Sequence, residues 1–317
     1  MKNKKRNKRP APVLLFKKKL IVYLLFLVVV PLVLYFRVMH FGYSGLDDKN
    51  IVSNINNVQE SPFSMKEALT HDAFMGDKGD TFYRPLQSVS FMLDAQLAGK
   101  EPWIYHLSNL IFHILTVITL FFFLKKTGIK EEISFLLALL FSINPLFTNA
   151  VAWIPARGDI LLCLFTLLSF NTFLEYFNTR KTVYVILHVL VFPAAMFSKE
   201  TAVLIPLLIL SYFYLVLKKK FIFKDIIPFF TIWFISIVLF FVLRHSVIKI
   251  SLSSNMFGII PFIKNLPAIP ITFCKFFFPY YLCTMPLFDY TGLIGGIILL
   301  IVFSLSIRNK YFSPVYS

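Results

Sequence analysis

Long apolar runs alternate with short charged clusters along this chain, a pattern that predicts helices crossing a lipid bilayer. The runs are about 16 to 21 residues long, close to the length a helix needs to cross hydrocarbon. They place spans at 20–39, 104–124, 133–149, 160–177, 182–197, 202–217 and 226–243, with a last one at 292–307. Residues 244–265 read as an outer loop. The stretch 266–285 holds Pro267, Pro270, Pro279 and Lys275, which suits a re-entrant or interfacial helix better than a clean crossing. The expectation is an all-α, multispanning integral membrane bundle of eight spans, or nine if that stretch also crosses. One long polar segment, 40–103, interrupts the pattern. Within it, 62–69 and 82–97 have amphipathic character. Phe82, Leu86, Val89, Leu93 and Leu97 recur at three- and four-residue intervals, an apolar stripe suited to a helix lying on the membrane surface.

Composition supports this class. Of the 317 residues 57% are hydrophobic, only 15% are charged, and the mean hydropathy is +0.73. A net charge of +16 invites a nucleic-acid partner, but its distribution argues against one. Nine Lys or Arg residues precede the first span without a single acid. Further basic clusters stand at Lys125, Lys126 and Lys130, at Arg180 and Lys181, and at 218–224. The segment 40–103 instead carries nine acids against five bases. This alternation is the positive-inside pattern and places the N-terminus in the cytoplasm and the long segment outside the cell membrane. Attraction of the basic tail to anionic lipid is a sufficient use for its charge. The boundaries expected are a tail at 1–19, one membrane domain at 20–307 and a short tail at 308–317. Residues 20–36 are too long for a cleaved signal, and no small-residue cleavage site follows, so they read as a signal anchor. Cys163, Cys274 and Cys283 all lie in apolar segments and read as packing residues.

Candidate chemistry gathers at the outer ends of the spans. Asp47 and Asp48 follow the first span, and Tyr83 and Arg84 lie further along the same segment. A carboxylate can take a proton from an incoming hydroxyl, and a guanidinium can hold a phosphate through two parallel hydrogen bonds. An Asp pair also suits a plain solvated turn. His106, Asn109 and His113 share one face of the second span. His106, near the outer end, could meet a sugar hydroxyl or phosphate, whereas His113 reads as a helix–helix hydrogen bond. Arg157 and Asp159 lie in a short outer turn, as does the pair Lys199–Glu200. Either set could pair internally or meet a lipid phosphate. No phosphate-cradling glycine loop, zinc-type Cys/His spacing or nucleophile elbow is present.

Four blocks then show a resemblance. FYRPLQSVSFMLDAQLAGKEPWIYHLSNLIFH, NPLFTNAVAWIPARGDILLCLF, FPAAMFSKETAVLIPLLIL and FPYYLCTMPLFDY resemble, in order, blocks of the protein O-mannosyltransferases that carry tetratricopeptide repeats. That family belongs to the GT-C class of multispanning glycosyltransferases, which use polyprenyl-phosphate sugars and place a catalytic acid in the first external loop. The resemblance implies Asp47 as general base with Asp48 in support. It also implies Tyr83, Arg84, His106, Arg157, Lys199 and Glu200 around the donor. The expected reaction moves a sugar, mannose by resemblance, from polyprenyl phosphate to a hydroxyl acceptor with inversion at the outer face. Protein Ser/Thr is the first choice of acceptor, a glycan or lipid the second. No cofactor is required, although the acidic loop leaves room for a divalent metal. The family usually continues into repeats of about 34 residues, and no such period is visible here. The alternatives are a transporter or lipid-handling protein, which would need a midplane cavity, and an inactive truncated relative acting as a scaffold.

Overall fold

The computed structural model describes residues 13–44, 46–58, 65–75, 81–218, 223–248, 259–282 and 288–312. These residues are helical almost throughout, with no strand among them. In chain order the helices are α1 (Val13–Tyr35), α2 (Asp48–Val58), α3 (Met65–Thr70), α4 (Pro85–Ala98), α5 (Pro102–Lys126), α6 (Glu131–Ile143) and α7 (Thr148–Ala152). Then come α8 (Arg157–Thr179), α9 (Val183–Ser198), α10 (Ile205–Ser211), α11 (Phe223–Val247), α12 (Ile259–Asn265), α13 (Ala268–Phe277) and α14 (Tyr290–Phe312).

Local sequence sets several of these boundaries. Helices α4 and α5 both begin with proline, whose missing N–H costs nothing in the first turn. Helix α4 stops at Gly99 (φ 59°), and the turn after α5 uses Gly128 (φ 90°), left-handed positions that glycine adopts without strain. Helix α6 carries Glu131 and Glu132 in its first turn, where the helix dipole favours negative charge.

Five helical runs are long and apolar enough to cross a membrane: Lys18–His40, Pro102–Lys126, Ile154–Thr179, Lys224–Val247 and Ile259–Phe277. A sixth counts if Glu131–Ile143 and Pro145–Ala152, bent by 49°, form one broken span. The runs expected at 182–197, 202–217 and 292–307 are the shorter apolar helices Val183–Ser198, Glu200–Val216 and Tyr290–Leu305. Residues 259–265, read from the sequence as loop, are helical. The apolar run Ile-Ile-Pro-Phe-Ile leads through a turn at 266–267 into α13.

Ion pairs gather the basic clusters at one end of the bundle. Lys19 pairs with Glu132, Lys125 with Glu131 at 2.5 Å, Lys126 with Glu175 at 2.9 Å and Arg180 with Asp225 at 2.5 Å. These pairs tie α1, α5, α6, α8 and α11 together at the ends opposite to Asp48, and their exposure makes each a minor contribution to stability. The bundle is held chiefly by apolar burial. One cluster joins α8, α9, α10 and α11 through Phe173, Phe192, Ile209, Phe229, Trp233 and Phe240. A second joins α1, α5 and α6 through Leu27, Val117, Phe121 and Ala138. A third lies under the polar segment, where Ile51, Val52 and Ile55 of α2 meet Phe91, Met92, Tyr105 and Ile154.

Helix α4 buries a mixed face, with Phe91, Met92 and Ala95 in the core. Part of its apolar stripe faces away from the protein, with Phe82 just before it 40% exposed, Leu93 48% and Leu97 75%, while Val89 packs on the core cluster. Its polar residues Gln87, Ser88 and Asp94 are buried against α5, α8 and α9. In water this arrangement would be unfavourable, because apolar surface is left wet and polar groups are desolvated. Against lipid the balance reverses, provided that each buried polar group finds a partner.

The hairpin of α13 and α14 leans on the bundle through Asn144, whose amide donates to the Phe276 carbonyl at 3.0 Å. Its two helices approach most closely at Gly296, where any Cβ would overlap the Pro270 carbonyl group. Gly296→Leu is therefore expected to separate the pair and destabilise the protein by about 1–3 kcal/mol. Thermal unfolding in detergent should show this as a lowered midpoint, and an unchanged midpoint would mean that the hairpin does not contribute to the stability.

Candidate active site

The site begins at the turn after α1. Asp48 opens α2 and is only 2% exposed, and its carboxylate is clamped by Ser44. The Ser44 N–H donates to Oδ2 at 2.6 Å and its hydroxyl to Oδ1 at 2.5 Å. Asp47, one residue earlier, is half-buried, and its carbonyl accepts from the Ile51 N–H at 3.0 Å. Its carboxylate makes no hydrogen bond or ion pair among the described residues. The two acids thus differ: one is fixed on both oxygens, the other has its lone pairs free.

Asp48 lines a cavity of about 330 Å³ together with residues 41–44, Leu46, Asn149, Ala152 and Trp153. The Trp153 indole N–H is buried there without a partner. An unsatisfied buried donor costs about 1–3 kcal/mol, and a ligand oxygen in the cavity would relieve it. Tyr43 lines the same cavity and donates its hydroxyl to the Lys100 carbonyl. Burial, reinforced by the negative charges of Glu101 and Asp48, raises the Tyr43 phenol to about 12, so it stays a neutral donor.

Behind this wall lies a buried polar network. His106 of α5 is 2% exposed, and both its ring nitrogens lack a hydrogen-bond partner. One turn further on, Asn109 is fully buried and accepts from Arg157 Nε at 2.7 Å. Arg157 is the largest fully buried side chain. Its Nη2 meets Asp94 Oδ2 at 2.6 Å and the Tyr105 carbonyl at 2.8 Å, and its Nη1 donates to Ser90 Oγ at 3.2 Å. The guanidinium lies 4.2 Å from the Phe91 ring centroid. Asp94 in turn accepts from the Ser108 hydroxyl at 2.5 Å. Burial raises the Asp94 carboxyl above its ordinary range, and the Arg157 charge opposes that shift. Arg157, expected to face a phosphate, is sealed from any ligand in this structure and joins α4, α5 and α8.

The remaining candidates form a second group at the junction of α4, α8 and α9. Arg84 and Glu200 make a bidentate pair, Nε to Oε2 at 3.1 Å and Nη2 to Oε1 at 2.8 Å. The Arg84 guanidinium also lies 4.4 Å from the Phe82 ring. Lys199 pairs with Asp159. Between these pairs Gly158 packs so tightly that a Cβ would stand 2.6 Å from Gln87 Oε1. Tyr83, expected beside the donor, is 1% exposed in the core, where its hydroxyl donates to the Leu69 carbonyl at 2.9 Å. His113 donates from Nε2 to the Ser142 carbonyl of α6 at 3.2 Å, the helix–helix bond read from its depth.

The structure thus brings Asp48, His106 and Arg157 into one continuous region and Arg84, Lys199 and Glu200 into another. Sequence reasoning overlooked Asp94, although a signal was available. If the apolar stripe of α4 faces lipid, the polar residues between the stripe positions must be buried and must find partners. Trp153 was not among the candidates drawn from the sequence. Among the described residues no three His, Cys, Asp or Glu side chains converge to hold a metal ion.

Comparison with known proteins gives this geometry a context. Residues 86–245 match the family model described as dolichyl-phosphate-mannose-protein mannosyltransferase. The match includes His106, Arg157, Lys199 and Glu200 and begins just after Arg84. The chain is similar to the protein O-mannosyl-transferase TMTC1 of Mus musculus, 34% identical over 132 residues, or 38% of this chain and 14% of that protein. It is 40% identical to the TMTC1 of Homo sapiens over 92 residues, 29% of this chain and 10% of that protein. To the TMTC2 of Homo sapiens it is 31% identical over 157 residues, 47% and 18% respectively. The matched region spans less than a fifth of the length of these relatives. No solved structure matches the chain.

Proposed function

From the premise that the chain belongs to the dolichyl-phosphate-mannose-protein mannosyltransferase family, we propose that it transfers mannose from a polyprenyl phosphate to a protein hydroxyl. Its mannosyl-transferase relatives and its membrane-length helices support this reading. The observation that carries it is the cavity at the acidic end of the bundle, walled by Asp48 and by the unpartnered Trp153 N–H.

In the proposed reaction the acceptor hydroxyl gives its proton to Asp47, whose carboxylate is free, as its oxygen attacks the anomeric carbon. The bond from that carbon to the phosphate oxygen breaks on the opposite face, which inverts the centre and releases polyprenyl phosphate. Asp48, held by Ser44, fixes the turn that presents Asp47. Trp153 donates to a sugar hydroxyl, and His106 supports Phe41, whose ring it meets edge to face at 6.5 Å between centroids. Donors placed where charge develops account for a large part of most enzymatic accelerations.

The phosphate seat falls to Arg84 and Lys199. Arg84 retains donors that Glu200 does not use. Glu200 and Asp159 serve as their counter-ions, while Arg157 and Tyr83 act as structural ties beneath the site. The outward stripe of α4 rests in the membrane interface. Eight or nine spans in a GT-C-like arrangement form one membrane domain over 20–307. The N-terminus lies in the cytoplasm and the site on the external face of the cell membrane.

Arg84→Ala is expected to lower kcat/KM for the donor by about a hundredfold, the cost of losing one charge-stabilising donor. Initial rates across donor concentrations check this. An unchanged value would move the phosphate elsewhere.

A further inference from the structure

A second, larger opening adjoins the Asp48 cavity. It has a volume of about 610 Å³ and is lined by Phe36, Met39, residues 40–42, Glu101, Pro102 and Trp103. Phe41 and Gly42 line both spaces, so the two share a wall. Three aromatic side chains border the larger groove in exposed positions: Phe36 at 56%, Phe41 at 51% and Trp103 at 45%. Glu101 also lines it, is exposed, and makes no ion pair among the described residues. A carboxylate in this position puts the groove in water or among headgroups, because facing hydrocarbon would be costly. Tyr43 feels the charges of both Glu101 and Asp48, so both carboxylates lie near its phenol.

Aromatic faces beside an unpaired carboxylate are suited to an organic cation, since the ring quadrupole and the negative charge both attract it. The polar segment 40–103, with nine acids and five bases, adds a negative field of the same sense. We propose that this groove seats the acceptor polypeptide and selects a Lys or Arg side chain near the hydroxyl to be modified. Glu101 pairs with the cation, Trp103 and Phe41 cover it, and the shared wall leads the neighbouring Ser or Thr toward the Asp48 cavity. This assignment deepens the mannosyl-transfer reading and rests on it for the identity of the acceptor, but the groove's preference can be measured without turnover.

The test uses the full chain in nanodiscs. Binding of a fluorescent Thr-containing peptide bearing two lysines is compared by anisotropy with the same peptide carrying glutamine at both positions. One exposed ion pair and one cation–π contact amount together to a preference of about fivefold for the lysine peptide. Glu101→Gln should reduce that preference to less than about twofold while leaving glutamine-peptide binding unchanged, because it removes the charge alone. Trp103→Leu should reduce it independently. Equal binding of the two peptides to the wild type, or a lysine preference that survives Glu101→Gln, would overturn the proposal. Displacement of both peptides by phosphocholine would also overturn it and assign the groove to a lipid headgroup. Mannose transfer measured in parallel separates the two readings: a charge-dependent peptide preference without transfer would retain the groove and reject the reaction.

Discussion

Asp47→Asn is expected to lower mannosyl transfer by about a hundred- to ten-thousand-fold, the usual contribution of a positioned general base. Asparagine keeps the side-chain shape and removes the proton-accepting charge. Asp47 is half-buried and its carboxylate is free of bonds to the protein, so the fold and donor binding should survive. Asp48→Asn should behave differently. The Asp48 carboxylate accepts from the Ser44 N–H and hydroxyl, and an amide in its place can accept at only one of its two positions. The turn should loosen and activity should fall, with a smaller loss in kcat than at Asp47 and a measurable drop in thermal midpoint. Single-turnover rates of the two variants beside the wild type distinguish the roles. If Asp48→Asn is the more damaging to kcat at unchanged stability, the base is Asp48.

Arg157→Met is expected to destabilise the protein by about 3–5 kcal/mol, because it leaves the Asp94 carboxylate buried without its partner. A typical fold is stable by only about 5–15 kcal/mol, so the variant should lose much of its margin. Asp94→Asn should be harmful for the converse reason, an uncompensated guanidinium with no exposed surface. Removing both charges together, as Asp94→Leu with Arg157→Met, should recover most of the loss, since an apolar replacement leaves no ion stranded. Thermal unfolding of the three variants in detergent reads this directly. A phosphate ligand would give another pattern: Arg157→Met would fold normally and lose donor affinity, and the double variant would rescue nothing.

The same comparison shows what was legible in the sequence. Apolar runs located α1, α5, α8 and α11, because each must satisfy its own backbone in hydrocarbon and therefore reads as one uninterrupted helix. The three- and four-residue spacing from Phe82 to Leu97 located α4 and the direction of its exposed stripe. The depth of His113 in its span anticipated its bond to α6. The pairing of charges was not legible. Arg84 meets Glu200 across 116 positions, Lys199 meets Asp159 across 40, and Arg157 reaches back to Asp94 of α4. Residue type and spacing suggested a phosphate or a neighbouring acid for Arg157 and Lys199, whereas the acids that pair with them are Asp94 and Asp159, not the neighbours Asp159 and Glu200. Asp94 was hidden for a related reason. An acid on an amphipathic helix reads as solvent-facing until the apolar stripe is known to face lipid. Residues 259–265 fell inside the segment read as an outer loop, although their residues are largely apolar and a helix tolerates Pro261 in its first turn.

Mass spectrometry of a Thr-containing peptide, incubated with polyprenyl-phosphate mannose and the purified full chain, tests the central claim most directly. A single hexose on the threonine hydroxyl, formed by the wild type and nearly absent with Asp47→Asn, is the predicted result. A well-folded wild type that adds no hexose to any hydroxyl peptide from any polyprenyl-phosphate sugar would contradict it.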